Sequence, residues 1–148
     1  MTHKVFAVGP DTSLETAGRL FAQKHVSGAP VLAEDGEVVG VLSVSDLIDP
    51  DRDRGGKVGT SHYYSLEQGF ADEYGDPTVS REGTVAEVMT PTVISVGPDN
   101  SILEAGRIMV DKGIHRLLVV DGDQLLVGII SVMDITRGVV ETPGIDEV

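Results

Sequence analysis

The chain has 148 residues, a net charge of −13 and no cysteine, which excludes disulfides, thiolate zinc sites and a cysteine nucleophile. The acidic balance presents no basic stripe, so nucleic acid is not an expected partner, and an anionic small ligand must be held by local groups without long-range attraction. Hydrophobic content of 41% suits a folded unit of this size, the four histidines lack helical metal-ligand spacing, and the longest mainly apolar stretch, residues 125–133, is half of a membrane span. With no signal-peptide pattern at Met1, the expectation is a cytoplasmic protein without a membrane partner.

Residues 1–48 return as residues 89–136 at a constant offset of 88, without a gap, and 19 of the 48 pairs are identical. Taken in chain order, each copy opens on a short β-branched run, residues 5–8 and 93–96, stopped by Gly9-Pro10-Asp11 and Gly97-Pro98-Asp99. Thr12-x-x-Glu15 and Ser101-x-x-Glu104 read as capping boxes. They open helices whose apolar residues share one face: Leu14, Ala17, Leu20 and Phe21, then Ile102, Ala105, Ile108 and Met109. Lys112-Gly113 is a helix stop. Residues 29–32 and 117–120 suit strands buried on both faces. Acidic turns lead to further strands at 38–42 and 125–130, and a last helix starts at Ser43 or Ser131. The predicted fold is α/β (α+β), two pseudo-symmetric βαββα copies packed sheet to sheet, because neither copy buries its apolar face alone.

The division predicted is residues 1–48 for the first repeat, 49–84 for an inter-repeat insert, 85–138 for the second repeat with a short capped lead-in helix, and 139–148 for a tail. Four of the six aromatics, Tyr63, Tyr64, Phe70 and Tyr74, sit in the insert. A flexible tether would not concentrate them, so part of residues 60–76 is expected to dock, while residues 49–59 are expected to stay mobile. Asp49-x-Asp51-x-Asp53 lacks the glycine and the closing acid of a calcium loop. Gly55-Gly56-Lys57 is followed by valine and preceded by no buried strand, unlike a phosphate loop. No nucleophile motif links Ser, His and Asp.

The chemistry-bearing pattern is Gly40-x-x-Ser43-x-x-Asp46, repeated as Gly128-x-x-Ser131-x-x-Asp134. A serine and an acid three residues on, at a helix start, form a capping box without any ligand. The same helix start also offers N–H groups and a positive dipole end to phosphate, and a carboxylate one turn later can accept from a vicinal diol. The copies differ at one strand entrance, where His115-Arg116 stands against Ser27-Gly28.

Val88-Met89-Thr90-Pro91, the turn ending at Asp99, the run from Ile114 to Asp121 and Gly128 to Asp134, with their counterparts in the first copy, resemble the cystathionine-β-synthase (CBS) domain. The tandem resembles a CBS pair, or Bateman module, over all but the insert and the tail, and no segment is left for a catalytic, channel or transporter domain. The resemblance implies a regulatory module without catalytic residues or a required cofactor, which binds an adenosine-containing ligand (AMP, ADP, ATP, NAD(H) or S-adenosylmethionine) between the repeats. Ser43 and Ser131 match the residue on phosphate, Asp46 and Asp134 the carboxylate on ribose, and His115 and Arg116 a pair that meets phosphates. Gly40 and Gly128 would let a flat base approach the backbone. The family also implies a homodimer, with Leu20, Phe21, Ile108 and Met109 as surface candidates, and a regulated protein partner. The alternative is an interaction module whose dimerisation is its task and whose ligand sites are vestigial.

Overall fold

The computed structural model describes residues 1, 3–48, 62–65, 82–91 and 93–141. The first copy runs α1 (Leu14–Lys24), β1 (Gly28–Leu32), β2 (Val38–Ser43) and α2 (Val44–Ile48). After α3 (His62–Ser65) and α4 (Val85–Val88), the second copy runs β3 (Ser95–Val96), α5 (Ile102–Lys112), β4 (Arg116–Val120), β5 (Leu126–Ser131) and α6 (Val132–Glu141). The offset of 88 carries α1 onto α5, β1 onto β4 and β2 onto β5, end to end. Both hairpins are antiparallel and shift register at the same place, between Val31 and Leu32 and between Val119 and Val120.

The opening strands are shorter than predicted. Val8 makes a single parallel bridge to Val31, and β3 pairs over two residues with β4. The Gly-Pro turn ends each run on one side. On the other side of β3, the N–H of Ile94 donates to the Tyr64 hydroxyl (2.8 Å) and leaves the sheet pattern. The first helix is also capped differently. Ser13, not Thr12, accepts from the N–H of Thr16 (3.1 Å), while the Thr12 hydroxyl accepts from Gly9 N–H (3.2 Å). Ser101 and Glu104 do form a full capping box on α5, and Gly113 ends it in the left-handed region.

The two copies interlock. Glu37 and Leu125, equivalent positions of the repeat, bridge each other, so the pseudo-two-fold axis passes between the hairpin tips. Lead-in helix α4 packs into the first copy's core, where Val85 is fully buried with Leu14, Phe21 and Leu42. Its first turn is tied there by Val85 N–H to Thr12 O (2.8 Å) and Ala86 N–H to Pro10 O (2.9 Å). Val38 and Val41 of the first copy join the second copy's cluster with Leu117 and Leu118. Phe21 and Met109, expected at a dimer surface, are buried inside their own copies, because the capped helix turns that face to its sheet. Most exposed large apolar residues lie instead on α5 and α6, namely Ile102, Leu103, Val110, Val132, Met133 and Val140, with Met1 and Ile48 elsewhere. Among the described residues, no helix is long and apolar enough to cross a membrane.

Of the insert, α3 brings Tyr63 and Tyr64 into the second copy's core, both fully buried and edge to face at 5.3 Å. Tyr64 is fixed at both ends, since its carbonyl accepts from His115 N–H (2.8 Å) and its hydroxyl from Ile94 N–H. Phe70, Tyr74, the acidic run from Asp49, the Gly55-Gly56 segment and residues 142–148 lie outside the described residues.

A methyl group on Gly40 would lie 2.6 Å from the Thr90 carbonyl oxygen, an immovable backbone atom. Gly40→Ala is therefore expected to lower stability by about 2 kcal/mol, the usual range for overpacking, as read from urea melts.

Burial pushes the Tyr63 hydroxyl up to about 12 from 10, partly offset by the Arg116 guanidinium, and pushes Tyr64 up as well. Above pH 10 the unfolded chain loses these protons before the folded one does. The stabilisation is thus complete below about pH 10 and is lost as pH rises through about 12, on the order of 3 kcal/mol for Tyr63. Urea melts at about pH 9 and about pH 11 should show this loss, and Tyr63→Phe should remove the Tyr63 share.

Candidate functional site

Each last strand runs directly into its helix, and the junction serine and aspartate bond reciprocally. In the first copy Ser43 N–H donates to Asp46 Oδ2 (2.8 Å), Ser43 Oγ donates to the same oxygen (3.1 Å), and Asp46 N–H donates to Ser43 Oγ (3.3 Å). In the second copy the same three bonds join Ser131 and Asp134 at 2.9, 3.1 and 3.2 Å. The capping arrangement thus forms in both copies with one carboxylate oxygen, Oδ2, doing all of it.

The other oxygen sets the copies apart. Asp134 Oδ1 lies 3.6 Å from the Met1 amino group and 3.7 Å from Arg137, and the side chain is 17% exposed. Asp46 is 1% exposed and Ser43 fully buried, with Ser45 Oγ 2.7 Å from Ser43 Oγ. One junction faces solvent and the other is sealed.

The strand entrances lie beside these junctions by register. Arg116 pairs with Ser131 across the β4–β5 hairpin, and Val132 N–H donates to His115 O (2.9 Å). Register thus sets the backbones of His115 and Arg116 beside Ser131 and Val132, with the His115 side chain exposed and Arg116 half-buried. In the first copy Gly28 pairs with Ser43 and Val44 N–H donates to Ser27 O (2.8 Å). The space above Gly28 holds the Tyr63 ring, whose Cδ2 would be 2.6 Å from an added Cβ. Arg116 lies over that ring at 4.9 Å, a cation–π contact.

Gly40 faces the Thr90 carbonyl and the Met89 sulfur, so the approach it permits is that of the lead-in backbone. Gly128 is buried and pairs with Val119. Two residues of the site escaped the sequence reading. Arg137 stands one turn after Asp134, and a search for i,i+3 ion pairs would have found it. Tyr63 gave a signal for docking but none for where it docks.

The family model that matches the chain is that of the CBS domain, at residues 1–51 and again at 85–141. CBSX2 of Arabidopsis thaliana, solved in complex with AMP, is 26% identical and superposes with a TM-score of 0.68 over 95% of this chain and 93% of that one. The cytosolic domain of the Mg2+ channel MgtE, solved in complex with ATP, is 28% identical with a TM-score of 0.66, over 93% of this chain and 46% of that one. The uncharacterised protein MJ1232 of Methanocaldococcus jannaschii is 30% identical over 90% of this chain, which spans 36% of that relative's length. With one family model matched twice, at the two repeats that superpose by offset, the chain belongs to the CBS domain family.

Proposed function

We propose that the chain is a non-catalytic regulatory module that binds an adenosine-containing nucleotide at the second copy's junction, through Ser131, Asp134, His115 and Arg116. The observation that carries this is the division of labour at Asp134. Oδ2 is committed to the helix cap, while Oδ1 is shared by two cationic groups at a part-buried position. Ribose hydroxyls are donors that suit that oxygen. The Arg116 guanidinium lies 4.9 Å from the Tyr63 ring centroid, and a planar fork of this kind suits a phosphate. The N-terminus of α6 adds a positive dipole end. With a net charge of −13, such local donors are what an anionic ligand requires. The AMP complex of CBSX2 supports the ligand class.

The proposal includes a cytoplasmic homodimer that acts on a protein partner. The exposed apolar residues of α5 and α6, Leu103, Val110, Val132 and Met133, supply a surface of the kind a second copy covers. One observation favours a second reading, dimerisation with vestigial ligand sites: the capping boxes are complete without a ligand.

Ligand addition separates the two. AMP should raise the melting temperature of the chain in scanning fluorimetry, since a ligand of the native state stabilises it. Asp134→Ala should abolish the shift. Arg116→Ala should weaken AMP about tenfold while leaving adenosine nearly unchanged, the loss expected for one charged hydrogen bond. Equal losses for both ligands in calorimetry would show that Arg116 does not read phosphate. Light scattering should give a dimer at concentrations on the order of tens of micromolar.

A further inference from the structure

The two copies depart from symmetry most at the rung beside each junction. The second has Arg116 opposite Ser131; the first has Gly28 opposite Ser43. Residues paired across an antiparallel hairpin project to the same face of the sheet. A ring placed where the Cβ of Gly28 would be therefore lies on the face to which Ser43 sends its hydroxyl. That ring belongs to Tyr63.

We propose that Tyr63 is a built-in occupant of the first copy's site, so that the chain takes a single nucleotide, in the second copy. The inference rests on the nucleotide reading given above and decides which of the two junctions uses it. Three observations converge. First, Gly28 and Tyr63 are a matched pair, because any side chain at 28 would collide with the ring at 2.6 Å and with the Leu42 carbonyl at 2.9 Å. Second, the ring cannot drift, because neighbouring Tyr64 is bonded at its carbonyl and its hydroxyl to His115 and Ile94 of the second copy. Third, Ser43 and Asp46 are sealed, at 0% and 1% exposure, while Asp134 remains open.

The ring also takes the partner that a phosphate would seek there. The Arg116 guanidinium is 4.9 Å from its centroid, so the aromatic face meets a cation next to the first copy's rung. An arginine absent from position 28 is thus compensated by a tyrosine from the insert that borrows the arginine of the other copy. Two equivalent motifs then yield one open site.

Calorimetric titration of the full chain with AMP tests this. The wild type should bind one AMP per chain, Tyr63→Phe should also bind one, and Tyr63→Leu should bind two. In Tyr63→Leu combined with Asp134→Ala, one site should remain. Two AMP per wild-type chain, or a stoichiometry still at one in a Tyr63→Leu protein that melts cooperatively, would overturn the proposal. A wild type that binds no AMP, beside a Tyr63→Leu variant that binds one, would keep Tyr63 as the occupant and remove the second-copy reading. No binding by either would remove both. If Tyr63→Leu does not fold, hydrogen exchange on the wild type decides. The His115 amide, bonded to Tyr64, should stay equally protected at saturating AMP, and faster exchange would show the ring leaving and overturn the proposal.

Discussion

Thr90 and Val41 exchange both of their backbone hydrogen bonds, at 2.9 Å each, across the boundary between the copies. The approach is so close that position 40, beside it, has room for no side chain. From this pairing follows the position of lead-in helix α4, which belongs to the second copy by sequence and to the first by packing. The chain is thereby threaded through both halves, and each core is completed by residues of the other. A half cut out at its sequence boundary would expose Leu14 and Phe21 where Val85 now covers them.

The repeat made most of the architecture legible. A gapless offset transfers every inference about one copy to its twin, and β1, β2 and α1 fall on β4, β5 and α5 without a residue's error. One expectation that the structure overturns goes against the offset itself. Thr12-x-x-Glu15 looked like a capping box by pattern, yet Ser13 aligns with Ser101, and Ser13 is the cap. An outer surface for Phe21 and Met109 conflicts with the helical period that groups them with Leu14 and Ala17, or with Ala105, and turns them inward. Tyr63 could not have been placed by any such rule, because it lies in the segment with no counterpart. Its position depends on the hollow left at Gly28, a tertiary property of the folded hairpin.

The two junctions sit in unequal surroundings although the repeat is symmetric in its elements. Ser43-x-x-Asp46 and Ser131-x-x-Asp134 share their three capping bonds to within 0.1 Å, and the local difference is the Ser45 hydroxyl beside Ser43. The other difference lies in the surroundings. Helix α2 buries Val44, Ser45, Asp46 and Leu47, whereas its twin α6 buries nothing fully. A part-buried carboxylate with exposed partners can change them at less cost than a sealed one, which would first have to be uncovered.

The hydroxyl inventory narrows what the open junction can do. Ser131 has one proton to give, and it is given to Asp134 Oδ2, while its oxygen accepts from Asp134 N–H. Turning that proton toward a phosphate would break one of the bonds that close the cap, so Ser131 exchanges a bond instead of adding one. Val132 N–H is spent on His115 O. Asp134 Oδ1 is already held by the Met1 amino group and Arg137, and Arg116 by Tyr63, so on the proposed reading an incoming nucleotide exchanges partners at these groups as well. The serine holds the aspartate still, with one oxygen on the helix cap and the other on two cationic groups. The same four atoms close the cap and make up the motif, which is why sequence pattern alone leaves a cap and a binding motif indistinguishable.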